Sequence, residues 1–287
     1  MSTVEFTRMP GTGALYRRAA LKLVPGLGGK PREALPERDL VLRGATVDRA
    51  HLADYNRVCG FRLGDTLPAT YPHIMAFPLA LELMTAPDFP LPLVGLVHLA
   101  NRITVARPID AGETLDLAVH AADLRPHDRG HQVDVVATAT VADEVVWRGV
   151  STYLRKERTA AKSGRREAGE RPAPPAPTAQ WRVTPRVGTD YARVSGDRNP
   201  IHTSRLGARL LGFPRPIAHG MWSKARCLAA LENRLPDAYT VDVAFKLPIL
   251  LPSTVAFSAA PAGDTRSWSF ALHSARSGKP HLTGSIC

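Results

Sequence analysis

Apolar and polar positions along the chain fall into two similar successions, separated by a stretch with no period. In residues 39–156 the apolar run from about Ala76 to Thr85 predicts a long helix. Val97 to Val105, Thr114 to Ala121, Gln132 to Ala142 and Val145 to Leu154 then predict strands. The last three largely alternate apolar and polar residues, as strands with one buried face do. In residues 181–287 the succession recurs, with a helix from Met221 to about Asn233. Its strands fall near Thr240 to Lys246, Thr254 to Ala260, Trp268 to Ser274 and His281 to Ile286. Residues 157–180 are basic, then rich in Pro and Ala, and read as a linker. Residues 1–38 are polar, basic and rich in Gly and Pro, and read as a flexible arm. Their P-G-L-G-G-K-P run lacks the Gly-Lys-Ser/Thr ending of a phosphate loop, and no apolar strand precedes it.

The two successions share more than order. Asp54-Y-N-R-V-C-Gly60 aligns with Asp190-Y-A-R-V-S-Gly196 at an offset of 136. His73-Ile74-Met75 parallels His219-Gly220-Met221 at an offset of 146, and R-P-I-D-A-G-E-T-L from Arg107 matches L-P-I-L-L-P-S-T-V from Leu247 at 140. Three matches in fixed order point to duplication of a unit of about 140 residues. The offset grows just after Gly60, so the first half is shortened there.

Composition adds a few constraints. A hydrophobic share of 44% with 22% charged residues suits a water-soluble globular chain. The formal charge of +11 raises a nucleic-acid reading, but aromatics are only 6%, so stacking surfaces for bases are scarce. The excess lies in the N-terminal arm and between Arg155 and Arg171, where it solvates the surface or steers an anionic substrate. Cys59, Cys227 and Cys287 are far apart and lack metal-ligand spacing, as in a reduced cytosolic protein. No apolar run is long enough for a membrane span, and the start lacks the apolar core of a signal peptide, so the cytoplasm is the expected location.

The chemistry concentrates between Tyr191 and Met221. Asp197, Asn199 and His202 place a carboxylate, an amide and an imidazole within six residues. Pro200 suits the first position of a helical turn. A tight turn feeding a short helix would aim Asp197 and His202 into one cavity, as an acid–base pair requires. Gly220 opens an apolar helix, and its bare N–H at the positive end of the dipole suits an oxygen gaining negative charge. His127 and His131 flank a hairpin tip with no further ligands, which reads as a solvated turn. His219 reads as a loop-holding residue, and Met221 and Trp222 as helix core.

This stretch resembles the signature of the MaoC-like (R)-specific enoyl-CoA hydratases. It carries Tyr191, Val194, Ser195, Gly196, Asp197, Asn199, Pro200, Ile201, His202 and Ala208 at the family's spacing. The resemblance implies an α+β double hotdog, two units in each of which an antiparallel sheet wraps a long helix. It implies no cofactor and no metal. Its substrates would be thioesters of coenzyme A or acyl carrier protein, with a homodimer allowed. By the same resemblance His202 and Asp197 handle the protons, Asn199 orients water or the loop, and the Gly220 N–H binds the thioester oxygen. The first half has G-F-R-L-G-D-T where the second has G-D-R-N-P-I-H, and Ile74 where the second has Gly220. One site per chain is therefore expected, the emptied half widening the acyl tunnel, with Ile74 and Arg215 as substrate-binding candidates. Leu228 stands where some members have a serine. The alternatives are a hotdog thioesterase, for which Glu232 is poorly sited, and a non-catalytic acyl-thioester-binding or partner subunit of an elongation complex.

Overall fold

The alternating segments become strands whose inward residues are closed off from water. In the segment Leu115–His127, Leu115, Leu117, Val119 and Ala121 are buried while their neighbours keep solvent contact. The structure is a computed structural model that describes residues 2–21, 34–157 and 176–287. The chain begins with β1 (Ser2–Phe6) and α1 (Thr12–Leu21). The first half continues with β2 (Arg38–Ala45), α2 (Arg49–Cys59), α3 (Tyr71–Thr85), β3 (Leu96–Val105), β4 (Leu115–His127), β5 (Gly130–Val141) and β6 (Glu144–Lys156). The second half holds β7 (Ala179–Val183), α4 (Arg186–Ser195), α5 (Pro200–Thr203), α6 (Arg205–Leu210) and α7 (Gly220–Leu231). It ends with β8 (Tyr239–Phe245), β9 (Ser253–Ala262), β10 (Asp264–Ser274) and β11 (Pro280–Ile286).

The eleven strands form one sheet in the order β1-β2-β4-β5-β6-β3-β8-β11-β10-β9-β7. Apart from β1, this order reads the same from either edge when each strand is exchanged for its counterpart in the other half. The halves meet where β3 pairs antiparallel with β8, from Ala100 opposite Ala244 to Val105 opposite Tyr239. Helices α3 and α7 lie against the sheet, and Leu79, Leu83, Ala225 and Leu228 share one core with the strands. The architecture is the expected α+β double hotdog. Helices α2 and α4 both end at a left-handed glycine, Gly60 at φ 83° and Gly196 at φ 74°, where a side chain would be strained. After Gly196 the second half inserts α5 and α6 before its long helix, and this accounts for the growing offset.

Three expectations need correction. The segment before residue 39 is not a flexible arm where it is described. Strand β1 pairs in parallel with β2, and α1 packs Leu15 and Tyr16 against Phe77 and Leu81 of α3. Its polar composition conceals the apolar face of a short helix, with Leu15 and Ala19 buried at helical spacing. Helix α3 begins at Tyr71, not Ala76, because Pro72 is tolerated in a first turn. The linker gives way to β7 at Ala179. The P-G-L-G-G-K run and most of the linker lie outside the described residues. The hairpin tip is as expected, with β4 ending at His127 and β5 starting at Gly130.

A buried lysine locks the seam. Lys224 of α7 is fully buried, and its Nζ donates to Asn101 O at 3.0 Å, Asn101 Oδ1 at 2.6 Å and Val241 O at 3.1 Å. Burial pushes its pKa well below the ordinary value. Three acceptors on three donors satisfy the ammonium and tie α7 to both central strands. Replacing Lys224 by alanine would leave these acceptors without a partner, and we expect a loss of about 3 kcal/mol in urea unfolding.

Candidate active site

The site grows from the end of α4. The chain reverses at Gly196, and the Asp197 N–H donates to Ser195 Oγ at 3.2 Å. The Asn199 N–H donates to Asp197 Oδ1 at 3.2 Å, while Asn199 Oδ1 accepts from the Ile201 N–H at 3.3 Å. Asn199 is thus the N-cap of α5, with Pro200 at its first position. This fixes the turn that carries Asp197 and starts the helix that carries His202. Helix α4 comes close enough to α5 that a Cβ on Gly188 would lie 2.1 Å from His202 O. Only glycine fits between them.

His202 is 8% exposed, and its Nδ1–H donates to Ile217 O at 2.8 Å. That bond leaves Nε2 with a free lone pair. The Ile217 N–H returns to Ile201 O at 3.0 Å, closing the loop on α5. The His219 ring stacks on His202 with centroids 3.6 Å apart, and its Nε2–H donates to Asp197 O at 3.0 Å. The Asp197 side chain is 28% exposed and that of His219 only 2%. A substrate can therefore reach Asp197 and not His219, which holds the loop. Gly220 opens α7, and a Cβ there would sit 3.1 Å from the Phe245 ring. Its bare backbone faces the dipole end of a twelve-residue helix.

The electrostatics suit a carboxylate beside neutral imidazoles. Burial lowers the proton affinity of His202, against the pull of Asp197 and the Ile217 carbonyl. Burial and the neighbouring His202 push His219 down to about 3. Burial opposes the charge on Asp197. Its histidine neighbours and the hydrogen bonds from Tyr16 and Asn199 outweigh that penalty, so its pKa falls below the ordinary value. At neutral pH the histidines are uncharged, and the Tyr16 and Asn199 donors hold the ionised carboxylate.

The reactive atoms of Asp197, His202 and His219 lie within 4.8 Å of one another, a spacing that could also admit a cation. His202 Nδ1 and His219 Nε2 each donate to a backbone carbonyl, which leaves the lone pair of His202 Nε2 open to either use. Of the other site candidates, Arg215 is exposed on the loop after α6. Ile74 is buried at 6% and is the fourth residue of α3, where Gly220 is the first of α7. Its neighbour His73 feels the charge of Asp197, as does His98 of β3. The sequence reading missed a set of partners supplied by the first half. Tyr16 donates to Asp197 Oδ1 at 2.6 Å. The His98 ring lies 4.6 Å from Tyr153, 4.9 Å from Phe245 and 6.5 Å from His73. Burial lowers His73 to about 4 and His98 to about 3, and raises Tyr153. No local motif marks these residues, because pairing of β3 with β8 and packing of α1 on α3 bring them together.

The tautomers are open to test. Nitrogen NMR of labelled histidine should show His202 protonated on Nδ1 and His219 on Nε2 at pH 7. Each should gain its second proton only below the ordinary histidine range, because burial disfavours the imidazolium. A doubly protonated His202 at pH 7 would contradict the geometry.

Comparisons with known proteins identify what the chain is similar to. Residues 169–282 match the MaoC like domain family. The chain is 38% identical to 3-hydroxyacyl-thioester dehydratase X of Mycobacterium tuberculosis, over 98% of this chain and 99% of that protein. It is 28% identical to the enoyl-CoA hydratase ChsH3 of the same organism, over 63% of this chain and 66% of that one. The crystal structure of HtdX from Mycobacterium tuberculosis superposes with a TM-score of 0.77 at 38% identity, covering 87% of this chain and 99% of that one. On fold, site geometry and full-length similarity together, the chain belongs to the MaoC-like dehydratases.

Proposed function

We propose that this protein adds water across 2-enoyl thioesters to give (R)-3-hydroxyacyl thioesters and catalyses the reverse dehydration. The supporting observation is the free Nε2 of His202 beside the reachable carboxylate of Asp197, close to the N-terminus of α7. In hydration the pair takes a proton from water as its oxygen bonds to Cβ. The C=C electrons move to Cα, and negative charge builds on the thioester oxygen. The Gly220 N–H donates to that oxygen in the transition state. The pair then delivers a proton to Cα and returns to its starting protonation state. Dehydration runs the same steps backwards. Asn199 acts through the turn it caps.

The acyl chain extends toward the wall that the first half supplies, and Arg215 is available to an anionic carrier. Coenzyme A and acyl carrier protein are both candidate carriers, with the cytoplasm as the location. Among the described residues no helix is long and apolar enough to cross a membrane. The thioesterase reading is disfavoured because Glu232 Oε2 accepts the Arg62 N–H at 3.1 Å, beyond the end of α7. Leu228 is fully buried and adds no polar group to the site.

Loss of the enoyl chromophore with crotonyl-CoA, a long-chain 2-enoyl-CoA and the matching carrier-protein thioesters tests the reading. Wild type should turn over at least one substrate, and Asp197→Asn and His202→Gln should each lose about 100-fold or more in kcat. Folded wild type inactive on all of them would overturn it. Gly188→Ala, which displaces His202, should cost about 100-fold in kcat. Both members of the pair must be unprotonated to start, and both are shifted downward. The acid limb of kcat/KM should therefore lie below the ordinary histidine value of 6.5.

A further inference from the structure

The N-terminal helix enters the site of the opposite half. Tyr16 lies 181 positions before Asp197, yet its O–H donates to Asp197 Oδ1 at 2.6 Å. The helix that carries it is anchored on the first half. Leu15 packs with Phe77 and Leu81, and Arg18 bridges Glu82 at 2.9 Å and donates to Glu82 O at 3.0 Å. Its start lies on the second half, where a Cβ on Gly196 would sit 3.4 Å from Thr12 Cγ2. Helix α1 therefore spans the two halves at the site, and its placement fixes the phenol.

We propose that Tyr16 is a positioning residue of the active site, holding Asp197 through Oδ1 so that Oδ2 is the oxygen presented to water and substrate. Oδ1 already accepts from the Tyr16 O–H and the Asn199 N–H. Oδ2 lies 3.8 Å from His219 Nε2, whose proton is committed to Asp197 O. Among the described residues Oδ2 accepts no hydrogen bond. Two donors on one oxygen and none on the other orient the carboxylate and stabilise its ionised form. Burial, then the charge of Asp197, raises the proton affinity of the phenol far above its ordinary range, so Tyr16 acts only as a donor.

The proposal rests on Asp197 being a proton-handling group. The other titratable groups around the carboxylate are His202 of α5, His219 before α7, Tyr191 of α4, His73 of α3, His98 of β3 and Tyr153 of β6. Burial keeps all six uncharged near neutral pH. Exposed Arg198 follows Asp197 directly. Loss of the Tyr16 donor should therefore be legible in the titration of Asp197.

Tyr16→Phe keeps the ring and removes the donor. In the full-length protein it should keep its Tm within a few degrees, lose about 10-fold in kcat with KM within twofold, and move the acid limb of kcat/KM upward. Leu15→Ala, which loosens α1 but keeps the phenol, should shift the same quantities less. An acid limb superimposable on that of wild type would reduce Tyr16 to a packing residue, and a gain in kcat/KM would make it an obstruction; either overturns the proposal. The Asp197 carboxyl carbon, followed by NMR titration in both proteins, reads the same bond without turnover. An upward shift in Tyr16→Phe is expected even if no enoyl thioester is hydrated, and an unmoved titration contradicts the proposal.

Discussion

Pairs from Ala100 opposite Ala244 to Val105 opposite Tyr239 join β3 to β8 and turn two strand sets into one sheet. That ladder sets where everything else can go. It sets α3 and α7 against one continuous sheet, and Lys224 fixes α7 to both central strands. It also brings His98 of β3 beside Phe245 of β8, whose ring lies over Gly220. The second half supplies Asp197 and His202, while the first supplies Tyr16, His73 and His98 near them. Neither half could enclose the site alone.

Within that frame the site is held by backbone hydrogen bonds. The carbonyls of Ile217 and Asp197 fix the tautomers of His202 and His219, and Asn199 caps the short helix between them. Neutral imidazoles stacked in a buried place cost less than charged ones, so the arrangement leaves one base uncharged and one carboxylate ionised. The glycines follow the same logic. Gly188 lets α4 approach His202 O, and Gly220 admits Phe245 while leaving an N–H bare. The first half kept α2, α3 and their strands but has no counterpart of α5 and α6.

Much of this was legible in the sequence because much of it is local. Asp197, Asn199 and His202 lie on one turn, so their spacing specifies their geometry. The central strands of both halves alternate clearly, and their ends fall close to those read from the pattern. The short outer strands β1, β2 and β7 lack enough alternating residues to stand out. Tyr16 could not be found from spacing, since its place depends on α1 packing across Phe77 and Leu81. Polar flanks disguised that helix as a loose arm. Ile74 aligns with Gly220 in order, but α3 starts at Tyr71, so Ile74 does not open its helix.

The central claim is that one convergent pair, on one face of the substrate, moves the protons of addition and elimination. The most direct measurement is hydration of a trans-2-enoyl thioester in deuterium oxide, with the product resolved for configuration and label position. The account predicts a single (R) configuration at C3, with one deuterium at C2 added to the same face as the hydroxyl. Reactive atoms of Asp197 and His202 within 4.8 Å of each other can serve only one face. Addition to opposite faces, or an (S) product, would contradict it.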